Sequence, residues 1–355
     1  MTADGRRTDD GTRVLRIGTR GSTLATTQTG TVRDALERAG HRAELHIVHT
    51  PGDASQAAQT PVTRIGVGVF TETLRTALAA GECDVAVHSF KDLPTAPDDR
   101  FVQVVPARAD VRDVLVAAGG RGLRDLPAGA RVGTGAPRRV SQLRAARPDL
   151  GIIPIRGNID TRMGRVGDGP DDLAGVILAR AGLERVGRLD RVTTETLDPT
   201  VLMPAPAQGA LCVEVRADDA AAVAAVAALD DPVSHAGAVA EREILATLEA
   251  GCTAPVAAWS EIRATGTGPE GGAARDTPDG RRDLPPGRDL PPALTLTVHG
   301  GVFALDGSHG ITRTVTADID LRPGADWRGT ARETGRAVGR RLLDAGAATI
   351  VAGSE

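Results

Sequence analysis

Short aliphatic and β-branched runs alternate with helical stretches through the first two-thirds of the chain, and this alternation restricts the fold more than any other feature. Val14–Gly18 reads as a strand and Ser22–Ala39 as a helix; Ala43–His49 is a second strand and Phe70–Ala80 a second helix. Asp84–His88, Phe101–Pro106, Asp113–Val116, Arg131–Thr134, Ile152–Ile155, Gly175–Ala179 and Ala210–Val215 continue the strand-like pattern. Strands alternating with helices imply parallel or mixed sheets in α/β domains. The chain has 355 residues, too many for a single core, so two or three domains are expected.

The last third reads differently. Residues 217–250 are Ala-rich and helical with a break near Asp231-Pro232. Two β-like runs, Leu294–Val298 and Ile311–Asp318, precede a helix over Trp327–Ala345, giving a small α+β C-terminal domain. Between them, residues 265–292 hold Gly, Pro, Arg and Asp and the direct repeat RDLPP, a composition that cannot build a core and reads as a disordered insertion. The first eleven residues read as a disordered tail.

Charge excludes a global positive field: 42 basic residues face 46 acidic ones. With no Tyr, two Trp and four Phe, the chain lacks base-stacking platforms, and no nucleic-acid partner is expected. The polar, acid-containing N-terminus has no secretory core, and no apolar run is long enough to span a bilayer. Cys83, Cys212 and Cys252 show neither disulfide nor zinc spacing, which suits a reducing, cytoplasmic compartment and predicts no metal.

Chemistry-bearing residues gather where strands end. In open α/β sheets ligands bind beyond the carboxyl ends of the strands, where helix N-termini also offer backbone N–H groups to anions. Arg20 and Ser22 follow the first strand; taken alone they read as a serine cap beside a surface arginine. Thr134, Arg138 and Arg139 follow Arg131–Thr134, with Pro137 at the first helical position. Two cations in a first helical turn oppose the helix dipole by about 0.3–1 kcal/mol each. An anionic ligand reverses that sign, and the adjacent pair, pointing in different directions, is placed to grip separate carboxylates. Arg156 and Arg162 follow a third strand, with Asn158 as a cap. Lys91 and Asp92 follow DVAVH; Asp92 suits a general acid/base or a group that stabilises a developing cation, although a bare Lys-Asp pair also reads as a surface pair. His88 reads as a packed histidine. Cys252 lies in a turn after Gly251, which is expected to stop the long helix; a lone cysteine is by default a small buried hydrophobe, the role assigned to Cys83 and Cys212.

The ordered segments LRIGTRGSTLA, VAVHSFKDLPT, VGTGAPRRVSQL, PIRGNIDTR, PAPAQGAL and LEAGCTAPV together resemble the porphobilinogen deaminase (hydroxymethylbilane synthase) family, from about Val14 to the C-terminus apart from the insertion. The resemblance implies two α/β domains like the halves of a periplasmic binding protein, residues 12–107 with 208–228 and residues 108–207. A small α+β third domain covers 229–355. It implies a transferase that joins four porphobilinogen molecules head to tail, releasing ammonia, to give hydroxymethylbilane; the absence of an obvious apolar interface helix favours a monomer. It also implies a dipyrromethane cofactor held by a thioether at Cys252, with Lys91, Asp92, Thr134, Arg138, Arg139 and Arg162 as cofactor contacts. Arg20, Ser22, Phe70 and Arg156 become substrate contacts and Asp92 the catalytic residue. Gln208-Gly209 falls at the second interdomain crossing.

Two departures from the family pattern stand out. The glycine-rich segment Arg64–Phe70 is one residue short and lacks a lysine, and Ala136 replaces a serine. The competing readings are a non-catalytic anion-binding protein of the periplasmic type, which predicts a secretion signal and no reactive cysteine, and a cysteine hydrolase, which needs a base beside Cys252.

Overall fold

The computed structural model describes residues 13–48, 69–167, 172–251, 254–265, 281–282, 290–291 and 293–352. The chain divides into two compact units, one of residues 1–107 and 210–231, the other of 108–209 and 232–355. The N-terminal tail and the glycine-rich segment before Val69 lie outside the described residues, as does most of the insertion.

In the first unit, strands β1 (Val14–Thr19), β2 (Arg42–Ile47), β3 (Val85–Ser89), β4 (Phe101–Val104) and β10 (Leu211–Arg216) form one sheet in the order β2-β1-β3-β10-β4. β1 runs parallel to β2 and β3, whereas β10 returns antiparallel between β3 and β4. Helix α1 (Thr23–Arg38) packs Val32 and Leu36 onto Leu15, Ile17, Val85 and Val213, so its apolar spacing fills one face of the sheet. Helix α2 (Val69–Ala79) places Leu74 and Leu78 on the other side with Cys83 and Phe101. There Gly18 leaves room for that contact, since a Cβ on it would stand 2.7 Å from Cys83 Sγ.

The second unit holds two sheets. Strands β5 (Asp113–Ala117), β6 (Arg131–Gly133), β7 (Gly151–Ile153), β8 (Gly175–Ala179) and β9 (Thr194–Thr196) are ordered β7-β6-β8-β5-β9. β6 is parallel to β7 and β8, and β5 antiparallel to β8 and β9. This repeats the first unit's plan: three parallel strands, an antiparallel one, and an edge. The antiparallel strand comes from the end of the first unit's sequence span and from the beginning of the second's. Helices α3 (Pro137–Ala146), α4 (Ile159–Met163) and α5 (Arg180–Arg185) each follow a parallel strand.

After α6 (Ala220–Ala227), which belongs to the first unit, α7 (Pro232–Thr247) begins at the proline that the sequence marks as a break. α7 and α8 (Trp327–Asp344) pack on a sheet of β11 (Val256–Ala264), β12 (Arg281–Arg282), β13 (Leu294–Phe303) and β14 (Gly310–Ile319), before a short terminal helix α9 (Ala347–Ala352). The mixed α/β class expected from the sequence stands, with two α/β sheets and a smaller α+β part. Two local expectations change, and one strand is added. α7 ends at Thr247 and Glu249 takes a positive φ of 51°, so the stop precedes Gly251. β11 is a full strand where the Ala-rich sequence gave no β signal. Arg281 and Arg282, inside the supposed structureless insertion, pair in parallel with Ile262 and Arg263.

Gly209 shows why one residue type is required. Its φ is +84°, a region L side chains rarely adopt, and an added Cβ would collide with the Ala109 carbonyl. Gly209→Ala is expected to destabilise the protein by about 1–3 kcal/mol from backbone strain alone. A thermal melt checks this; an unchanged midpoint refutes it. Among the described residues no helix is long and apolar enough to cross a membrane.

Candidate functional site

The two α/β sheets each present polar residues at the carboxyl edge of their parallel strands. In the first unit, Ser22 caps α1, accepting from the Ala25 N–H at 3.4 Å, as the sequence predicts. Arg20 is half-buried at the end of the adjoining strand. The Gln28 amide donates to Ser89 Oγ at 3.2 Å and ties α1 to the end of β3. Beyond Ser89 the chain makes one 3-10 turn, Phe90–Asp92. Phe90 and Leu93 are buried, and the Phe90 N–H donates to the Ala210 carbonyl at 3.0 Å. These anchors fix the backbone and leave Asp92 exposed beside half-buried Lys91. Among the described residues the Asp92 carboxylate accepts no hydrogen bond and forms no ion pair, so its full acceptor capacity faces solvent. Phe70 lies in the first turn of α2.

Below that edge lies a buried polar cluster. Glu214 on β10 receives Arg75 Nε and Nη2 at 3.0 and 2.7 Å and Gln103 Nε2 at 2.8 Å, while His88 Nε2 stands 3.1 Å away. Burial pushes the Glu214 carboxyl up, but the neighbouring His88 and the Arg75 hydrogen bonds outweigh it and hold the group well below the usual carboxylate range. His88 is packed as expected, but its buried Nε2, although 3.1 Å from Glu214, makes no hydrogen bond of good geometry. Cys83 is buried, and burial with the nearby Asp84 charge pushes its thiol up to about 12, which keeps it unreactive. Cys212 is buried as well.

In the second unit, three neighbouring parallel strands deliver arginines to one edge: Arg138 and Arg139 after β6, Arg156 and Arg162 after β7, Arg185 after β8. Thr134 is buried, and its N–H closes the end of β6 against the Ile153 carbonyl at 2.9 Å. Gly157, at φ +107°, turns the chain so that Asn158 caps α4, accepting from the Thr161 N–H at 2.8 Å. Arg162 then folds back, donating Nε to the Gly157 carbonyl at 2.8 Å. No acid pairs with Arg162 among the described residues. Its burial, joined by the charges of Arg139 and Arg156, lowers its pKa. Arg156 is exposed. Arg156 and Arg162, which pair with no acid among the described residues, suit a ligand with several carboxylates.

Arg138 and Arg139 behave differently from the expectation that they grip separate carboxylates. Both are buried and both reach Asp113, at 2.8 Å from Arg138 Nη1 and 2.7 Å from Arg139 Nη2. The first residue of β5 lies under the first turn of α3, so one internal carboxylate collects both guanidinium groups. Arg138 also donates to the Met203 carbonyl at 2.9 Å and Arg139 to that of Ile177 at 3.0 Å. Burial would raise the Asp113 carboxyl, but the two arginine charges hold it well below the usual range.

The chain matches the family model described as porphobilinogen deaminase, dipyromethane cofactor binding domain, over residues 15–224. A porphobilinogen deaminase of Corynebacterium glutamicum is 52% identical over 337 residues, covering 95% of this chain and 98% of that protein. One from Nocardia farcinica is 51% identical over 338 residues, covering 95% and 88%. The chain belongs to the porphobilinogen deaminase family. A periplasmic substrate-binding protein of an ABC transporter from Coxiella burnetii aligns at 17% identity and a TM-score of 0.38, covering 61% of this chain and 92% of that one.

Within this family member, the structure gathers Thr134, Arg138, Arg139, Arg156 and Arg162 at one sheet edge, and Arg20, Ser22, Lys91 and Asp92 at another. Cys252 lies outside the described residues. Sequence reasoning missed Asp113, an acid opening an otherwise apolar strand, and that placement was the available signal. It also missed Arg185, whose Nη2 donates to the Gly209 carbonyl and whose burial, only partly offset by Glu184, lowers its pKa to about 10. The segment ARAGLER gave no hint that this arginine is desolvated.

Proposed function

We propose that this chain condenses four porphobilinogen molecules head to tail, with loss of ammonia, to form hydroxymethylbilane in tetrapyrrole synthesis, working as a cytoplasmic monomer. Membership of the porphobilinogen deaminase family supports the reaction. The observation that carries the site assignment is the arginine edge of the second unit, where Arg162 has no acid partner among the described residues and shares its surroundings with Arg139 and Arg156. Each pyrrole of the substrate bears an acetate and a propionate, so a growing chain accumulates carboxylates that such an edge would neutralise.

The donor set fits a dipyrromethane, with four carboxylates for the arginines of the second unit. When bound through a thioether at Cys252, that group supplies a terminal pyrrole whose free α-carbon is the nucleophile. Arg156 and Arg162 bind and orient carboxylates by charge-assisted hydrogen bonds, each worth roughly 1.5–3 kcal/mol. Arg20, Ser22, Lys91 and Phe70 contact substrate or cofactor from the first unit, and Thr134 borders the second edge. Asp92 accepts hydrogen bonds from pyrrole N–H groups and stabilises the positive charge that develops as porphobilinogen's aminomethyl nitrogen leaves as ammonia. Each condensation forms one carbon–carbon bond, breaks one carbon–nitrogen bond, and passes the proton of the attacking α-carbon to solvent, and one water supplies the hydroxyl of the released product.

The purified chain is expected to exceed its sequence mass by two linked pyrrole units, in the peptide that contains Cys252. Cys252→Ala should lack the added mass. A chain that turns over porphobilinogen with Cys252 unmodified sinks the covalent assignment.

A further inference from the structure

The geometry of the arginine edge turns on one residue. Asp113 is fully buried, and its two oxygens accept from four donors. One oxygen takes Arg139 Nη2 at 2.7 Å and Gln208 Nε2 at 2.8 Å. The other takes Arg138 Nη1 at 2.8 Å and Arg139 Nε at 3.2 Å. A carboxylate has about four lone-pair sites, so Asp113 is saturated by the protein and has nothing left for a ligand. Gln208 completes the arrangement: its amide also donates to the Val111 carbonyl at 2.8 Å and its oxygen accepts from Arg138 Nη2 at 3.1 Å.

We propose that Asp113 is a positioning residue that locks Arg138 and Arg139 from beneath, so that Arg139 joins Arg156 and Arg162 as a pre-set donor to pyrrole carboxylates. This rests on the function proposed above. Arg139 engages Asp113 through Nε and one face of Nη2, a forked contact that fixes the guanidinium plane. Held this way, the group needs no reordering when a carboxylate arrives, and preorganisation of that kind is a direct source of affinity.

Charge and geometry predict opposite signs here, which makes the proposal decidable. Removing a negative charge from a cationic edge should, by electrostatics alone, tighten binding of an anion. Removing a positioning group should weaken it. It also leaves an asparagine N–H₂ facing guanidinium donors.

The test compares the natural chain with Asp113→Asn and Asp113→Glu. The readouts are the fraction of purified protein carrying the added pyrrole mass and the KM and kcat for porphobilinogen per loaded chain, below the melting temperature of each variant. Asp113→Asn should load poorly, with a KM raised by roughly tenfold, about one charge-assisted contact, while kcat stays within about threefold. Asp113→Glu keeps the charge but shifts the carboxylate by a methylene, and should show a smaller rise in KM in the same direction.

A lower melting temperature with unchanged loading and KM would show a merely structural role and overturn the proposal. So would tighter binding in Asp113→Asn. If that variant does not fold, Asp113→Glu decides: natural loading and KM overturn the proposal, and a raised KM with kcat retained supports it. A natural chain that neither carries the mass nor consumes porphobilinogen overturns the function itself, and this inference with it.

Discussion

Asp92→Ala should leave the first unit folded and lower porphobilinogen turnover by about 10²–10⁴-fold, the range for loss of a positioned acid/base or charge-stabilising group. The fold is spared because the turn is held by other atoms. Phe90 and Leu93 are buried, the Phe90 N–H binds the Ala210 carbonyl at 3.0 Å, and the Leu93 N–H closes on the Phe90 carbonyl at 3.3 Å. Asp92 contributes no ion pair or hydrogen bond to that turn among the described residues. An exposed side chain without partners is a poor candidate for stability and a good one for work on a ligand. Asp92→Asn separates two versions of the role. It keeps the shape and one acceptor oxygen but loses the charge, so stabilisation of a developing cation predicts a loss close to that of alanine. Near-normal turnover in the asparagine variant would reduce Asp92 to a neutral hydrogen-bond acceptor. A large drop in melting temperature for either variant would instead return it to a structural role.

Local signals made the site edges legible in sequence. Ser22 and Asn158 cap their helices as their residue types predict, and Pro137 opens α3. The arginines read after β6 and β7 fall at one edge because parallel strands bring their carboxyl ends to one side. What stayed hidden depends on partners distant in sequence. Asp113 and Arg139 are separated by 26 positions, Gln208 and Asp113 by 95, and nothing local to either names the other. The sequence assigns Arg138 and Arg139 to ligand carboxylates and gives no sign that the protein also supplies one of its own. β11 escaped notice for another reason. Its Ala and Ser positions carry little intrinsic β preference, and its place in the sheet comes from pairing along the whole of β13, from Val256↔Val302 to Ala264↔Leu294. The sequence-level role of Cys252 rested on ordered motifs, because a single thiol has no periodicity to interpret.

Arg108→Ala should be the most destabilising single change, at roughly 3–5 kcal/mol, because it leaves a buried charge without its partner. The Arg108 guanidinium meets Glu241 through two parallel bonds of 2.7 and 2.8 Å, with side-chain exposures of 2% and 0%. Arg108 Nε also donates to the Gln208 carbonyl at 2.8 Å, and its backbone N–H to Ser234 Oγ at 2.9 Å. Glu241 accepts further from Ser260 Oγ and the Ala207 N–H, both at 2.7 Å. One ion pair thus joins the start of the second unit's sequence, the segment around Gln208, helix α7 and strand β11. For a unit of this size, that loss corresponds to a fall in melting temperature of roughly 6–20 °C. Arg108→Met with Glu241→Gln removes both charges and keeps much of the volume, and should recover part of the loss, since no buried charge is then left unpaired. The double-mutant cycle gives the coupling directly. A single Arg108→Ala variant that melts within about 2 °C of the natural chain would mean that water or a rearranged partner satisfies Glu241. The buried pair would then not be what holds the segment around Gln208 in place.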